Sequence, residues 1–129
     1  MQPAFSFLSG YAELDCISNF SFLTGASHPE ELVERAAGLG YQGLALADEC
    51  SLAGVVRGHV EAERRQLPFI VGSRFRLQEG IQIIVLACNL NGYGNLSEII
   101  TLARRRSRKG EYDLSLSDLS TPPAELAHL

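Results

Sequence analysis

Four side chains could meet to do chemistry if this chain alternates strand and helix: Asp15, Asp48, Glu49 and Arg74. Carboxylates converging in that way could hold a hard divalent cation such as Mg²⁺ or Mn²⁺ through oxygen ligands. The competing reading sets the Arg74 guanidinium among the carboxylates, where it supplies charge and fork-shaped hydrogen bonding and takes the place an ion would fill. Histidine is missing from the set: His28 precedes a helix, His128 is in the tail, and His59 falls within a helical window. No P-loop, dinucleotide fingerprint or nucleophile elbow is present. The stretch GYGNLS from Gly92 lacks a third glycine and reads as a turn before a helix.

The elements that would position these groups follow from periodicity. YAELDCI, Tyr11 to Ile17, reads as a first strand whose period of two puts Glu13 and Asp15 on one face. Ser27 and Glu30 have capping-box spacing, Pro29 suits a helix start, and Leu32, Val33, Ala36, Ala37 and Leu39 form a buried stripe ending at Gly40. GLALA, Gly43 to Ala47, is an unbroken apolar run suited to a parallel strand covered on both faces, and it delivers Asp48 and Glu49 at its end. A helix over about Ala53 to Arg65 and a strand over Phe69 to Val71 follow. Ile81 to Ala87 reads as a further strand, joined through Glu79 and Gly80 as a hairpin to RFRL. Asn95 and Glu98 repeat the capping spacing before a helix that buries Leu96, Ile99, Ile100 and Ala103. Beyond Lys109 the period fades, and the tail with its proline pair reads as irregular. This alternation predicts right-handed βαβ units in an α/β sheet or part of a barrel, with sites at the C-terminal strand ends.

Composition narrows the function classes. Of 129 residues 46% are hydrophobic and 20% charged, an ordinary balance for one globular domain. A net charge of −4 argues against a stand-alone nucleic-acid binder with a broad basic face. Locally the balance reverses at Arg104, Arg105, Arg106, Arg108 and Lys109, read either as a solvated helix end complementing the helix dipole or as a phosphate contact. Cys16, Cys50 and Cys88 show no CxxC spacing, so buried reduced thiols are expected rather than disulfides or a zinc site. With neither a secretory leader pattern nor an apolar run of membrane-spanning length, a cytoplasmic protein is expected, with no membrane partner.

The strings YAELDCISNFSFLTGASHPEELVERAAGLGY, ALADECSLAGVVR, PFIVGSRF and GYGNLSEIITLARRRSRKGEY closely resemble the start of error-prone DnaE-like polymerases, in the DNA polymerase III alpha subunit family. The resemblance runs from Tyr11 to Leu119 and implies a partial PHP domain over 1–119, with an irregular tail over 120–129. In that family the PHP domain is a TIM-like α/β barrel, so a half-barrel is expected at this length, with open strand edges and an apolar face prone to self-association. Active relatives hold metal through an H-x-H on the first strand, a D-H after the second and an acidic residue after the third. Asp15 and Ile17 stand at the first pair, Asp48 and Glu49 at the second, and Arg74 at the acidic position; only Asp48 matches. The resemblance therefore implies a structural portion of a polymerase acting in translesion or damage-induced synthesis. It would be inactive alone, without a cofactor, and would meet DNA through the rest of that polymerase. The alternative is a PHP phosphoesterase with altered ligands holding Mg, Mn or Zn on Asp15, Asp48 and Glu49.

Overall fold

The computed structural model describes residues 10–21 and 25–120. The elements are β1 (Ala12–Cys16), α1 (Pro29–Gly38), β2 (Gly43–Glu49), α2 (Val55–Arg64), β3 (Phe69–Arg76), β4 (Gln82–Leu86), α3 (Leu90–Arg105) and α4 (Leu116–Ser120). The strands form a curled four-stranded sheet in the order β1-β2-β3-β4, a half-barrel. β1, β2 and β3 are parallel and β4 returns antiparallel on β3, so the α/β expectation and the hairpin both hold.

Local chemistry places several boundaries differently from the periodic reading. α1 is capped at His28, not Ser27, because Pro29 suits the first helical position and forces the residue before it to be extended. Glu31, three residues on, then takes the His28 backbone N–H at 2.7 Å. α3 begins before GYGNLS instead of after it: the Asn89 side chain accepts the Gly92 N–H at 2.8 Å and draws both glycines into the helix. β3 runs on to Arg76 because the hairpin pairs it with β4 as far as Gln82. The segment after Lys109 is not wholly irregular. Asp118 ties down the start of α4, its carboxylate accepting the Ser115 N–H at 2.9 Å and the Ser115 hydroxyl at 3.0 Å. Residues 121–129 lie outside the described residues.

One irregularity matters for the site. Glu13 pairs with Leu44 and Cys16 with Leu46, so three steps along β1 match two along β2. This bulge interrupts the period of two, and Glu13 and Asp15 take different partners. Glu13 accepts the Tyr11 hydroxyl, whereas Asp15 meets Arg74.

Two apolar clusters hold the layers together. Val33 and Ala36 of α1 and Ala62 of α2 pack with Leu44 and Leu67. Leu96, Ile99 and Ala103 of α3 pack with Cys50, Phe75, Leu77 and Leu114. Burying each of the larger side chains is worth about 1.5–3 kcal/mol. β2 is buried along nearly its whole length, with Ala45 and Ala47 at 0% exposure; its Leu44 belongs to the first cluster, and Phe75 of β3 to the second.

Two features of the loops generate tests. A Cβ added at Gly25 would lie 2.1 Å from the Ser18 carbonyl oxygen, which belongs to the backbone and cannot swing away. Gly25→Ala is therefore expected to cost about 1–3 kcal/mol in urea denaturation; an unchanged midpoint would refute the packing of this loop. Arg106 grips Asp118 through two bonds of 2.7 and 2.9 Å, holding the carboxyl well below the usual carboxylate range, with help from Ser115. A depressed carboxyl contributes stability above its unfolded pKa and loses it as pH falls through the folded one. Asp118→Asn should accordingly destabilise by about 1 kcal/mol at pH 7, with the gap to the wild type closing only on acidification below about pH 4.

Candidate functional site at the strand ends

The parallel strands bring Asp15, Asp48, Glu49 and Arg74 to the same end of the sheet, where α/β folds place their sites. Each carboxylate there has its own partner from the chain. Asp48 is 1% exposed, and its carboxylate accepts the Ser18 N–H, the Ser18 hydroxyl and the Ser21 hydroxyl, each at 2.7 Å. Burying an ion is costly unless it is fully hydrogen-bonded, and three donors meet that demand. The Ser73 hydroxyl binds the Asp48 carbonyl at 2.8 Å and the Glu49 N–H reaches the Ser21 hydroxyl at 2.9 Å, so the 18–21 turn is riveted to the end of β2. Ser18 and Ser21 are functional neighbours that the sequence reading passed over. Their signal was the polar SNFS run directly after an apolar strand.

Arg74 meets Asp15 through one terminal nitrogen, and its Nε donates to the Ala47 carbonyl at 3.1 Å. Its side chain is 13% exposed against 53% for Asp15. Burial lowers the arginine pKa, though a guanidinium remains charged at neutral pH. The open choice of Asp15, Asp48 or Glu49 as Arg74's ion-pair partner thus falls to Asp15. Ile17, half-buried beside this pair in sequence, offers no donor or acceptor on its side chain.

Glu49 is engaged by Tyr112, whose hydroxyl donates to the carboxylate and accepts the Arg76 N–H at 2.7 Å. Burial first, and then Glu49, push the Tyr112 phenol up to about 12. Above the ring, 5.5 Å from its centroid, sits the Arg104 guanidinium. Arg104 donates to the Cys50 carbonyl at 3.0 and 3.3 Å, to Glu49's carbonyl at 3.4 Å and to Glu111's at 3.2 Å. Cys50 has φ 43, the left-handed region that non-glycine residues avoid. Its N–H is fixed on the Arg74 carbonyl at 2.9 Å, and its thiol is pushed up to about 11 by burial.

The basic run therefore divides. Arg104 and Arg106 are turned onto groups of the chain itself, while Arg105, Arg108 and Lys109 are exposed. His59 lies on the exposed side of α2, 3.4 Å from Glu63, and His28 caps α1, so neither joins the strand-end carboxylates. His128 lies outside the described residues. Among the described residues no group of three or more His, Cys, Asp or Glu side chains is arranged to hold a metal ion. Nor, among them, is any helix long and apolar enough to cross a membrane.

Comparison with known proteins gives this arrangement a family. The error-prone DNA polymerase of Bordetella parapertussis is 60% identical over 127 residues, covering 95% of this chain and 12% of the polymerase. That of Dechloromonas aromatica is 60% identical over 114 residues, covering 88% of this chain and 11% of its own. The chain thus spans about an eighth of the length of these relatives. Among solved structures, a candidate metal-dependent phosphoesterase from Bifidobacterium adolescentis superposes with a TM-score of 0.54 at 26% identity, covering 75% of this chain and 35% of that one. An amidohydrolase from Chromobacterium violaceum, with bound sulfate and no metal, gives 0.57 at 28% identity, covering 75% and 36%. The PHP domain model matches residues 13–121, and on that match, across most of its length, the chain belongs to the PHP domain family.

Proposed function

We propose that the chain is the N-terminal PHP portion of an error-prone DNA polymerase and that its part there is structural, not catalytic. The reading rests on one observation: each of the three strand-end carboxylates is held by a group of the chain itself, Asp15 by Arg74, Asp48 by Ser18 and Ser21, and Glu49 by Tyr112. Such a donor set does not fit a divalent cation. Asp48 is enclosed with its oxygens already accepting, Ile17 has no donor, and Arg74 adds a positive charge where a ligand is needed. No cofactor is needed for the role. Its partner is the remainder of a polymerase chain, since the relatives are much longer. Translesion or damage-induced DNA synthesis in the cytoplasm is the setting this gives it, with DNA met through that polymerase.

A second reading, a metal-dependent phosphoesterase holding Mg, Mn or Zn on Asp15, Asp48 and Glu49, draws its support from the likeness to the Bifidobacterium protein. It requires Arg74 to leave Asp15. The two readings separate in one assay, hydrolysis of p-nitrophenyl phosphate with added Mn²⁺ or Zn²⁺. The structural role predicts rates no higher than those of Asp48→Asn and Asp15→Asn; metal-dependent turnover that disappears in Asp48→Asn would overturn it.

A half-barrel portion also has surface to cover. Leu14 and Ile84 are 45% and 39% exposed, on the two outer strands of the sheet. Outer strands with free backbone groups and exposed apolar side chains favour association. The isolated chain should therefore grow in apparent mass between micromolar and near-millimolar concentration in sedimentation velocity. A constant monomer over that range would count against uncovered edges.

A further inference from the structure

The exposed cations of the chain gather at one end of the sheet. Arg104 ties the end of α3 to the Glu49 and Cys50 carbonyls, which brings the whole 104–109 run to the C-terminal end of β2. Tyr112 bridges the Glu49 carboxylate to the Arg76 N–H and so sets Arg76 beside the same end. Seven of the chain's eleven basic residues thus lie around the strand ends, Arg74 included, and five of them are exposed: Arg76, Arg105, Arg108 and Lys109, and Arg106, which pairs with Asp118. Two carboxylates of this end are paired with arginines, Asp15 with Arg74 and Asp118 with Arg106, and Asp48, Glu49 and Asp113 are held by neutral donors. Glu111 is the one exposed acid within the segment.

We propose that Arg76, Arg105, Arg108 and Lys109 form a binding rim for the phosphate backbone of a nucleic acid. Mobile arginine and lysine heads at a surface neutralise phosphates without reading bases, so the rim has no sequence preference. The rim is independent of whether the strand ends perform chemistry.

The test is fluorescence anisotropy with a labelled oligo-dT of about 30 nucleotides and a duplex of equal length, over a salt titration. The 129-residue chain should bind with a dissociation constant of about 10⁻⁴–10⁻⁶ M in low salt, weakening with a log–log slope of about −3 on the single strand for four contacts. Tighter binding to one arm identifies which form of the backbone the rim takes. Arg105→Glu/Arg108→Glu should weaken binding at least tenfold and flatten the slope, and Arg108→Ala/Lys109→Ala, outside any helix or strand, should weaken it three- to tenfold. Arg35→Glu, an exposed charge on α1, should leave it unchanged. Failure to bind either arm in low salt, binding indifferent to salt, or an equal loss in Arg35→Glu would overturn the proposal.

Discussion

A carboxylate taken out of water must find donors for its oxygens, and much of this molecule follows from how Asp48 finds them. The residue stands at the end of the central strand, 1% exposed, where no solvent can serve it. Its donors come from the turn after β1, and that choice fixes the turn: Ser18 gives both its N–H and its hydroxyl, and Ser21 bends back to give a third bond. Once the turn is pinned, the Asn19 N–H meets the Ser27 carbonyl at 2.7 Å, and Gly25 passes too close to Ser18 for any side chain. Pro29, at the start of α1, sits against Gly54 at the mouth of α2. Removing the charge would leave buried hydroxyls unpaired, and removing the hydroxyls would leave a buried charge, so neither half of the network is dispensable.

Arg74 solves a related problem with a different balance. A guanidinium that is 13% exposed faces a carboxylate that is 53% exposed, so most of the desolvation falls on the cation. Such a pair contributes little net stability, because solvent screens the half-exposed partner. What it supplies is geometry: the Nε bond to the Ala47 carbonyl fixes the side chain across β2, and the terminal nitrogen links β3 to β1 at its bulge. The Arg74 charge is built into β3 and reaches β1 and β2 together.

How much of this the sequence carried depends on the range of the interaction. The parallel strands, the hairpin at Glu79 and Gly80 and most of the buried stripe of α3 were legible because they arise from periodicity within short windows, whereas on α1 Val33 and Ala36 are buried but Leu39 is exposed. The convergence of Asp15, Asp48, Glu49 and Arg74 followed from the rule that parallel strands end together. Which partner each would take did not follow. The bulge in β1 interrupts the period that would relate Asp15 to Glu13, and nothing in AELDC announces it. Tyr112 reaches Glu49 across more than sixty residues, an interaction no local pattern encodes. The caps at His28 and Asn89 were missed for a subtler reason: two residues with capping chemistry stood close together, and Pro29 in one case and the Gly92 N–H in the other decided between them.

The Arg104 staple shows why one arginine in a basic run can behave unlike its neighbours. Its five donors reach three carbonyls on two separated segments, and the flat face of its head covers Tyr112. A lysine could offer one point of charge to one of those carbonyls, but not the fork and the plane together. The carbonyls it serves belong to Glu49 and Cys50, at the left-handed turn that ends β2, and to Glu111, six residues beyond the end of α3. Thus Arg104 ties the α3 cluster, which includes Cys50, to the strand end that carries Asp48 and Glu49. The same contact that keeps Arg104 from solvent is what carries Arg105, Arg108 and Lys109 to the rim of the sheet, so internal stability and surface charge at this end have a common origin.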